Sequence, residues 1–574
     1  MFRNLRHIPT EQPQLTRPDA ATCAFWLFLL TSLPANYTWV CISPSDTNAW
    51  WMTPLLTAAI AAVAALPLRL CARHKTVCTI YTGCLLMLFA VPAAVDGFLL
   101  LHFSKHFNQD IIDILAETNR EEAAGFLSLY LPPRKFFGCL VGLVLAVGVC
   151  WRLARLLARH AWINRTGRVM ALLGLCLWGC CIYHFCRYRN GLALPQYTTL
   201  TRAGYAAYCL RSRIGEIGRL TDNCRTYLEA HTGGHSDNRE LTICLVIGES
   251  HSVFHTDAYG YDKPTFPLLR EIAAGDSGAL VWFSDAVSVD DHTHTAMRSI
   301  FSLNRSEAFA SSQLFPAPFK ALGYATTLFD NQYLLRQGIS FLSNPQLSEM
   351  LFDRRNTHGA DDEEAVRLTP PRTDCNELIV IHLWGSHYDY AQHYPADRFT
   401  RFVPADYPAA WKEKRRVATA HYDNALTYTD FALRSLLDTL KGRKAAVVYL
   451  SDHGEEVYEV SDYAGHGNAA RRPIPDFQLR IPMFIWLSER YIEAFPETLE
   501  AVRDAANRPF LSDDTGHLLL DLAHEACDGL DPRRSVINSA YEPPQRRVLH
   551  SIDFDQKKQT SLCVTVPLPP LPAR

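Results

Sequence analysis

Residues 445–455 read Ala-Ala-Val-Val-Tyr-Leu-Ser-Asp-His-Gly-Glu, six apolar residues running into a serine, an acid, an imidazole, a glycine and a second acid. A short apolar run bounded in this way predicts a strand buried on both faces. The same construction recurs. Leu241–Ile247 (LTICLVI) runs into Gly248-Glu249-Ser250, Ala325–Phe329 into Asp330-Asn331, and Leu378–Leu383 (LIVIHL) into Trp384-Gly385-Ser386-His387; Pro482–Leu487 (PMFIWL) is a fifth apolar run. Helical patterns such as Tyr428–Leu440 lie between them, which predicts a mainly parallel sheet covered on both faces by helices. Ligands of such sheets bind beyond the carboxyl ends of the strands. Four strand ends therefore bring Glu, Asp, His and His to one rim.

The rest of the chain is different material. Its 574 residues are 48% hydrophobic and 20% charged, with Lys+Arg 56 against Asp+Glu 59, which excludes a disordered chain, a small disulfide scaffold and a nucleic-acid binder that works by bulk positive charge. A bilayer core about 30 Å thick needs ~20 apolar residues as helix. Five runs approach that length: Ala20–Ser45, Thr47–Leu68, Val77–Val95, Phe136–Trp151 and Val169–Cys186. The short fourth run is completed by Arg152 and Arg155 reaching to the interface. Eleven basic residues fall on one side of these spans (Arg3, Arg6 and Arg17 before the first; Arg69, Arg73 and Lys75; Arg152, Arg155, Arg159, Arg165 and Arg168) and four on the other (Lys105, Arg120, Arg134 and Lys135). Because basic residues stay cytoplasmic, the amino terminus is expected inside and everything after Cys186 outside. Residues 104–133 alternate apolar residues and carboxylates at helical spacing, consistent with an interfacial helix or a plain connecting loop.

The expected domains are a cytoplasmic tail (1–19), a transmembrane domain (20–186), a bridging segment (187–240), a catalytic domain (241–555) and a Pro-rich tail (556–574). Eleven of the 17 cysteines lie at or before Cys186, where a small hydrophobe is the ordinary role, and no CxxC occurs among the six beyond.

Glu249, Asp452 and His453 offer two hard oxygens and one imidazole, a donor set that suits Zn²⁺ or Mn²⁺ with a position left open. Such a site wants a nucleophile, and Asp290-Asp291-His292-Thr293-His294-Thr295 supplies hydroxyls. Thr295 is expected to open a helix (AMRSIFSL), where a phosphoryl group on its oxygen would meet first-turn N–H groups. Thr293 and Ser250 are rival hydroxyls, and the alternating His and Thr leave a second metal site open.

These residues resemble a known family, the membrane-anchored phosphoethanolamine transferases of Gram-negative envelopes, within the alkaline phosphatase/sulfatase superfamily. The resemblance rests on five spans, Glu117-Thr118-Asn119, VIGES followed by Tyr259–Leu269 (YGYDKPTFPLL), Thr293–Ala296, His382–His387 (HLWGSH), Tyr449–Glu459 (YLSDHGEEVYE), Gly465-His466-Gly467 and Asp531–Asn538 (DPRRSVIN). It implies a transmembrane five-helix domain followed by an α/β sulfatase-like periplasmic domain. It also implies that Thr295 is the nucleophile, which with Glu249, Asp452 and His453 surrounds a catalytic zinc. His387, His466, Glu455 and Asn331 match positions that handle substrate or a second metal, Thr118 and Glu122 match a donor head-group site, and Arg336 stands where some members carry a lysine. The implied reaction moves phosphoethanolamine from phosphatidylethanolamine to lipopolysaccharide, at core heptose or lipid A, through a phosphothreonine. The enzyme would be a monomer in the bacterial inner membrane. The absence of cysteines from Asp290–Ser299 favours the core-modifying branch. The alternative is a phosphoglycerol transferase, phosphodiesterase or sulfatase of the same superfamily.

Overall fold

The computed structural model describes residues 19–37, 49–103, 107, 111, 133–188, 198–275, 279–332, 335, 340–357, 361–367, 374–460, 462, 464–466, 476–549 and 552–557. The chain divides into two compact units, Met1–Arg213 and Ile214–Arg574. The interfacial segment apart from 107, 111 and 133, and the Pro-rich tail apart from 556–557, lie outside the described residues.

In the first unit, helices α1 (Ala20–Asn36), α2 (Ala49–Ala65), α3 (Lys75–Phe103), α4 (Pro133–Leu157) and α5 (Ala161–Tyr188) occupy the five apolar runs. Trp50–Leu70, Lys75–Leu100 and Phe136–Leu157 are long and apolar enough to cross a membrane, and Ala20–Pro34 is apolar but shorter. Three of the five expected spans thus meet that measure among the described residues. Phe137, Leu145 and Leu172 are more than 60% exposed, which water would penalise and lipid would not. Small residues let the helices approach: a Cβ on Gly174 of α5 would stand 2.0 Å from the Leu55 carbonyl of α2.

Asp96, the only acidic residue of α3, is buried and ion-paired with Arg202, at the start of α6 (Thr199–Ala230). The pair is enclosed by polar partners. Thr199 donates through its hydroxyl to Asp96, the Phe107 amide donates to the other Asp96 oxygen at 2.7 Å, and Asn36 Oδ1 accepts from the Thr199 amide at 2.9 Å.

The second unit is built on a seven-stranded sheet: β1 (Leu241–Gly248), β2 (Leu280–Phe283), β3 (Ala325–Asp330), β4 (Arg354–Thr357), β5 (Glu377–His382), β6 (Lys444–Ser451) and β7 (Met483–Leu487). Their spatial order is β2-β7-β6-β1-β5-β3-β4. The five strands from β6 to β4 are parallel, whereas β7 runs antiparallel to both β6 and β2. The fifth apolar run of the sequence is therefore a strand whose carboxyl end points away from the others. Alternation along β1 feeds two cores, Ile243, Leu245 and Ile247 on one face and Cys244 and Val246 on the other. Gly248 pairs with Ser451 and Ile247 with His382, so the parallel strands end level.

The helix expected over Tyr428–Leu440 is longer, α8 (Glu413–Leu440). Its first half hides from an apolar pattern because it buries Tyr422, Asp423 and Asn424, polar residues satisfied by hydrogen bonds.

Arg202→Met is expected to destabilise the detergent-solubilised protein by about 3–5 kcal/mol, since it strands a buried carboxylate, while Asp96→Asn combined with Arg202→Met recovers most of the loss. Thermal melts check this; identical midpoints for the single and double variants would contradict it.

Candidate functional site

At the level strand ends, Glu249 follows β1 and Asp452-His453 follow β6, all three fully buried. Their nearest ligand-type atoms lie within 4.8 Å of one another. The backbone is bent to bring them together. Ser250 holds a left-handed φ of 56°, unusual for a residue with a side chain, and from there its amide donates to Asp452 Oδ1 (3.0 Å) and its hydroxyl to Glu249 Oε1 (2.7 Å). Gly385, in the loop after β5, has φ 54°, and a Cβ on it would come within 2.9 Å of the Glu249 backbone; only glycine allows that approach.

The donor chemistry is set by the neighbours. His453 Nδ1 lies 2.9 Å from the Gly454 carbonyl, which can only accept, so Nδ1 donates there and Nε2 is the nitrogen turned to the cluster. Nε2 faces Asp452 Oδ2 at 3.2 Å and Glu249 Oε1 at 3.5 Å. Asp452 Oδ2 is buried and accepts no hydrogen bond from the described residues. Burial opposes ionisation of Glu249, but the imidazoles of His453, His387 and His466 outweigh it and hold this carboxyl below its usual range. Burial and then the Glu249 charge push Asp452 well above it. Two acids and an imidazole nitrogen converging on one buried point are a donor set that suits a divalent cation.

The nearby hydroxyl is Thr293. Its Oγ1 lies 3.2 and 3.4 Å from the Glu249 oxygens and 3.2 Å from His453 Nε2. Helix α7 (Thr293–Phe301) starts at this residue, with His292 as N-cap, and its first intrahelical bond runs from the Ala296 amide to the His292 carbonyl at 3.0 Å. The expectation that Thr295 opens the helix is corrected by two residues. At about 100° per residue, that shift turns the Thr295 side chain to a different face of the helix from Thr293. Thr295 instead accepts at its carbonyl from Ser299 Oγ.

The remaining predicted residues divide. Glu455 and His466 stand beside the cluster: the His453 and His466 rings are 4.1 Å apart, His466 Nδ1 is 2.8 Å from Glu455 Oε2, and the Tyr390 hydroxyl donates to Glu455 Oε1 at 2.6 Å. Burial, together with the nearby His453, keeps His466 well below the usual imidazole range. His387 is 6.2 Å from His466, ring to ring. Glu455, His466 and His453 form a second ligand group, but His453 has one free nitrogen and serves one of the two. Asp290, Asp291 and His292 form a third. Asn331 is buried and donates to Asp362 at 2.8 Å; its neighbour Gln332, not singled out by the sequence, donates to Glu249 Oε2 at 2.7 Å and to the Leu383 carbonyl at 2.8 Å. No motif marked Gln332, because it lies in a loop past the strand end. Thr118, Glu122 and Arg336 lie outside the described residues.

A buried polar network braces the site from behind. His255 bridges Asp423 Oδ1 (2.7 Å) and Glu459 Oε1 (2.8 Å), and the hydroxyls of Tyr261 and Tyr407 donate to Asp423 Oδ2 at 2.7 and 2.6 Å. Glu459 lies inside the hairpin formed by Glu456–Val457 and Ala464–Gly465, which joins Glu455 to His466.

Residues 242–525 match the Sulfatase family. The chain is 26% identical over 468 residues to phosphoethanolamine transferase EptC of Escherichia coli K12, covering 77% of this chain and 80% of that protein. It is 25% identical over 327 residues to the Kdo(2)-lipid A phosphoethanolamine 7''-transferase of Salmonella typhimurium, covering 53% and 56%. Among solved structures, the integral membrane lipooligosaccharide phosphoethanolamine transferase A (EptA) of Neisseria meningitidis aligns over 92% of this chain and 99% of its own with a TM-score of 0.56 at 18% identity, a likeness of fold.

Burial works against protonation of His255, but Asp423 and then Glu459 overcome it and raise the imidazole to about 10. A raised folded pKa contributes stability that is complete below the unfolded value near 6.5 and is lost as the pH climbs through about 10. The melting temperature of the wild type is therefore expected to fall between pH 7 and pH 10 more steeply than that of His255→Gln. His255→Ala, which strands two buried carboxylates, should cost about 3 kcal/mol at neutral pH. Parallel pH slopes for wild type and His255→Gln would contradict this.

Proposed function

We propose that this chain, a member of the membrane-anchored phosphoethanolamine transferase family with a sulfatase domain at residues 242–525, moves phosphoethanolamine from phosphatidylethanolamine to a lipopolysaccharide sugar or lipid A through a phosphothreonine at Thr293. The observation that carries the reading is the contact of the Thr293 hydroxyl with both Glu249 and His453 at a helix amino terminus. Glu249, Asp452 and His453 would hold a divalent cation, zinc being the best match to two carboxylates and one imidazole and manganese the alternative. Such an ion, when bound, supplies charge neutralisation and lowers the pKa of the adjacent hydroxyl.

In the first half-reaction Thr293 Oγ1 attacks phosphorus, the bond from phosphorus to the glycerol oxygen breaks, and diacylglycerol leaves with the proton that the hydroxyl gave up. An acceptor oxygen then attacks the same phosphorus, the bond to Oγ1 breaks, and Thr293 regains a proton from the acceptor. Three chain features serve these steps. Glu249 and His453 fix the attacking oxygen in place, worth much of the barrier through positioning alone. The α7 amides before the first intrahelical bond face a phosphoryl group on Oγ1. His466, oriented by Glu455 and 4.1 Å ring to ring from His453, is the imidazole placed to pass a proton between the threonine and the leaving or attacking oxygen.

Five spans, a cytoplasmic amino terminus and a periplasmic catalytic unit in a bacterial inner membrane complete the reading. It is supported by the eleven-to-four distribution of basic residues between the two sides. With both lipids in the same leaflet plane, anchoring the catalytic unit raises their effective concentration. The core-heptose branch is favoured by the lack of cysteines around Thr293.

Four measurements bear on it. Thr293→Ala lowers transfer on the order of 10³-fold or more, and Thr295→Ala lowers it far less; the reverse order would restore Thr295 as nucleophile. Exhaustive chelation, like Glu249→Ala or Asp452→Ala, abolishes transfer, and full activity in any of these would remove the metal from the account. Phosphatidylglycerol in place of phosphatidylethanolamine yields no product; efficient phosphoglycerol transfer would favour the alternative activity. A reporter fused at residue 230 that works only in the cytoplasm would reverse the topology.

A further inference from the structure

A second surface of the catalytic unit is built from cations and aromatic rings. The run Trp411–Arg416 carries four basic residues and one acidic. Lys412 is the N-cap of α8, and Lys414, Arg415 and Arg416 lie in its first turn. Cations there face the positive end of the helix dipole, so their placement does nothing for the helix. Arg415 lies over the Trp411 ring, its guanidinium carbon 3.6 Å from the centroid, and makes no ion pair among the described residues. Trp411 in turn lies near-parallel to Tyr407, at 24° and 6.1 Å.

The two lysines show what this surface holds. Lys412 and Lys414 are both exposed, and each places its ammonium 3.0 Å from a different oxygen of one exposed carboxylate, Asp462. Two ammonium groups gripping opposite oxygens of a single anion is the arrangement that binds phosphate. Asp462 sits within the hairpin of Glu456–Val457 and Ala464–Gly465, whose two ends carry Glu455 and His466. The surface is thus linked by a short hairpin to the catalytic cluster.

We propose that Lys412, Lys414 and Arg415, with the Trp411 ring, bind a phosphate-bearing sugar of the acceptor, and that Asp462 occupies the lysines until that phosphate displaces it. Charge complementarity selects the phosphate, and the half-buried Trp411 ring, packed between Tyr407 and Arg415, fixes the guanidinium of Arg415 beside the lysines. An exposed ion pair is cheaply exchanged, so Asp462 keeps the lysines in position without blocking the anion. The proposal rests on the transferase reading for the identity of the acceptor.

Binding, measured apart from turnover, tests it. Full-length protein in nanodiscs is titrated with purified lipopolysaccharide carrying its phosphates and with the same material stripped of them. Lys412→Glu with Lys414→Glu is expected to weaken binding of the phosphorylated form by about tenfold or more and to leave the stripped form unchanged, while Asp462→Asn tightens binding of the phosphorylated form severalfold. Equal affinity of the wild type for both forms, or an unaltered affinity in the lysine variant, would overturn the proposal. Weaker binding to phosphatidylglycerol vesicles with lipopolysaccharide binding intact would also overturn it, marking a bilayer-contact patch instead. The expected binding pattern with no phosphoethanolamine transfer would uphold the surface and count against the transferase reading alone.

Discussion

Two fully buried carboxylates, Glu249 and Asp452, stand within reach of each other, and the catalytic unit is arranged around that repulsion. Bringing them together costs free energy that hydrogen bonds from Ser250 and Gln332 offset only in part. His453, held through Nδ1 by the Gly454 carbonyl, turns Nε2 to the same point. A site so frustrated in its own residues is poised to gain from a divalent cation, because one ion satisfies all three groups at once.

The parallel sheet is what makes the arrangement rigid. Strands β1 and β6 are hydrogen-bonded along their length and end level, so Glu249 and Asp452 inherit their spacing from the backbone ladder rather than from flexible loops. The left-handed turn at Ser250 and the glycine at 385 are the local costs of that convergence. The membrane unit obeys another solvent: its outward residues are apolar, and its buried ions, Asp96 and Arg202, are paired and enclosed by hydroxyl and amide partners.

Much of this was legible in the sequence, for definite reasons. Apolar runs ending in acids and histidines located Glu249, Asp452 and His453, because a strand end confines the residues that follow it. Other features were not legible. An apolar run does not encode strand direction, so the antiparallel β7 looked like its neighbours. The start of α7 was misplaced by two residues because its N-cap is His292, which makes no side-chain cap, so that Thr293 and not Thr295 is the first helical residue. The first half of α8 reads as polar because it carries the buried partners of His255, and Gln332 lies in a loop with no motif to mark it. Helical runs in the membrane unit were readable from hydropathy, which reports length and composition but not how many of them cross.

Thr293 Oγ1 is the atom proposed to take the phosphoryl group. The most direct measurement is peptide mapping by mass spectrometry after the purified enzyme is incubated with phosphatidylethanolamine in the absence of acceptor. A phosphoethanolamine adduct on Thr293, discharged when acceptor is added, is the predicted result. An adduct on Thr295 or Ser250, or none on a chain that still transfers, would contradict it.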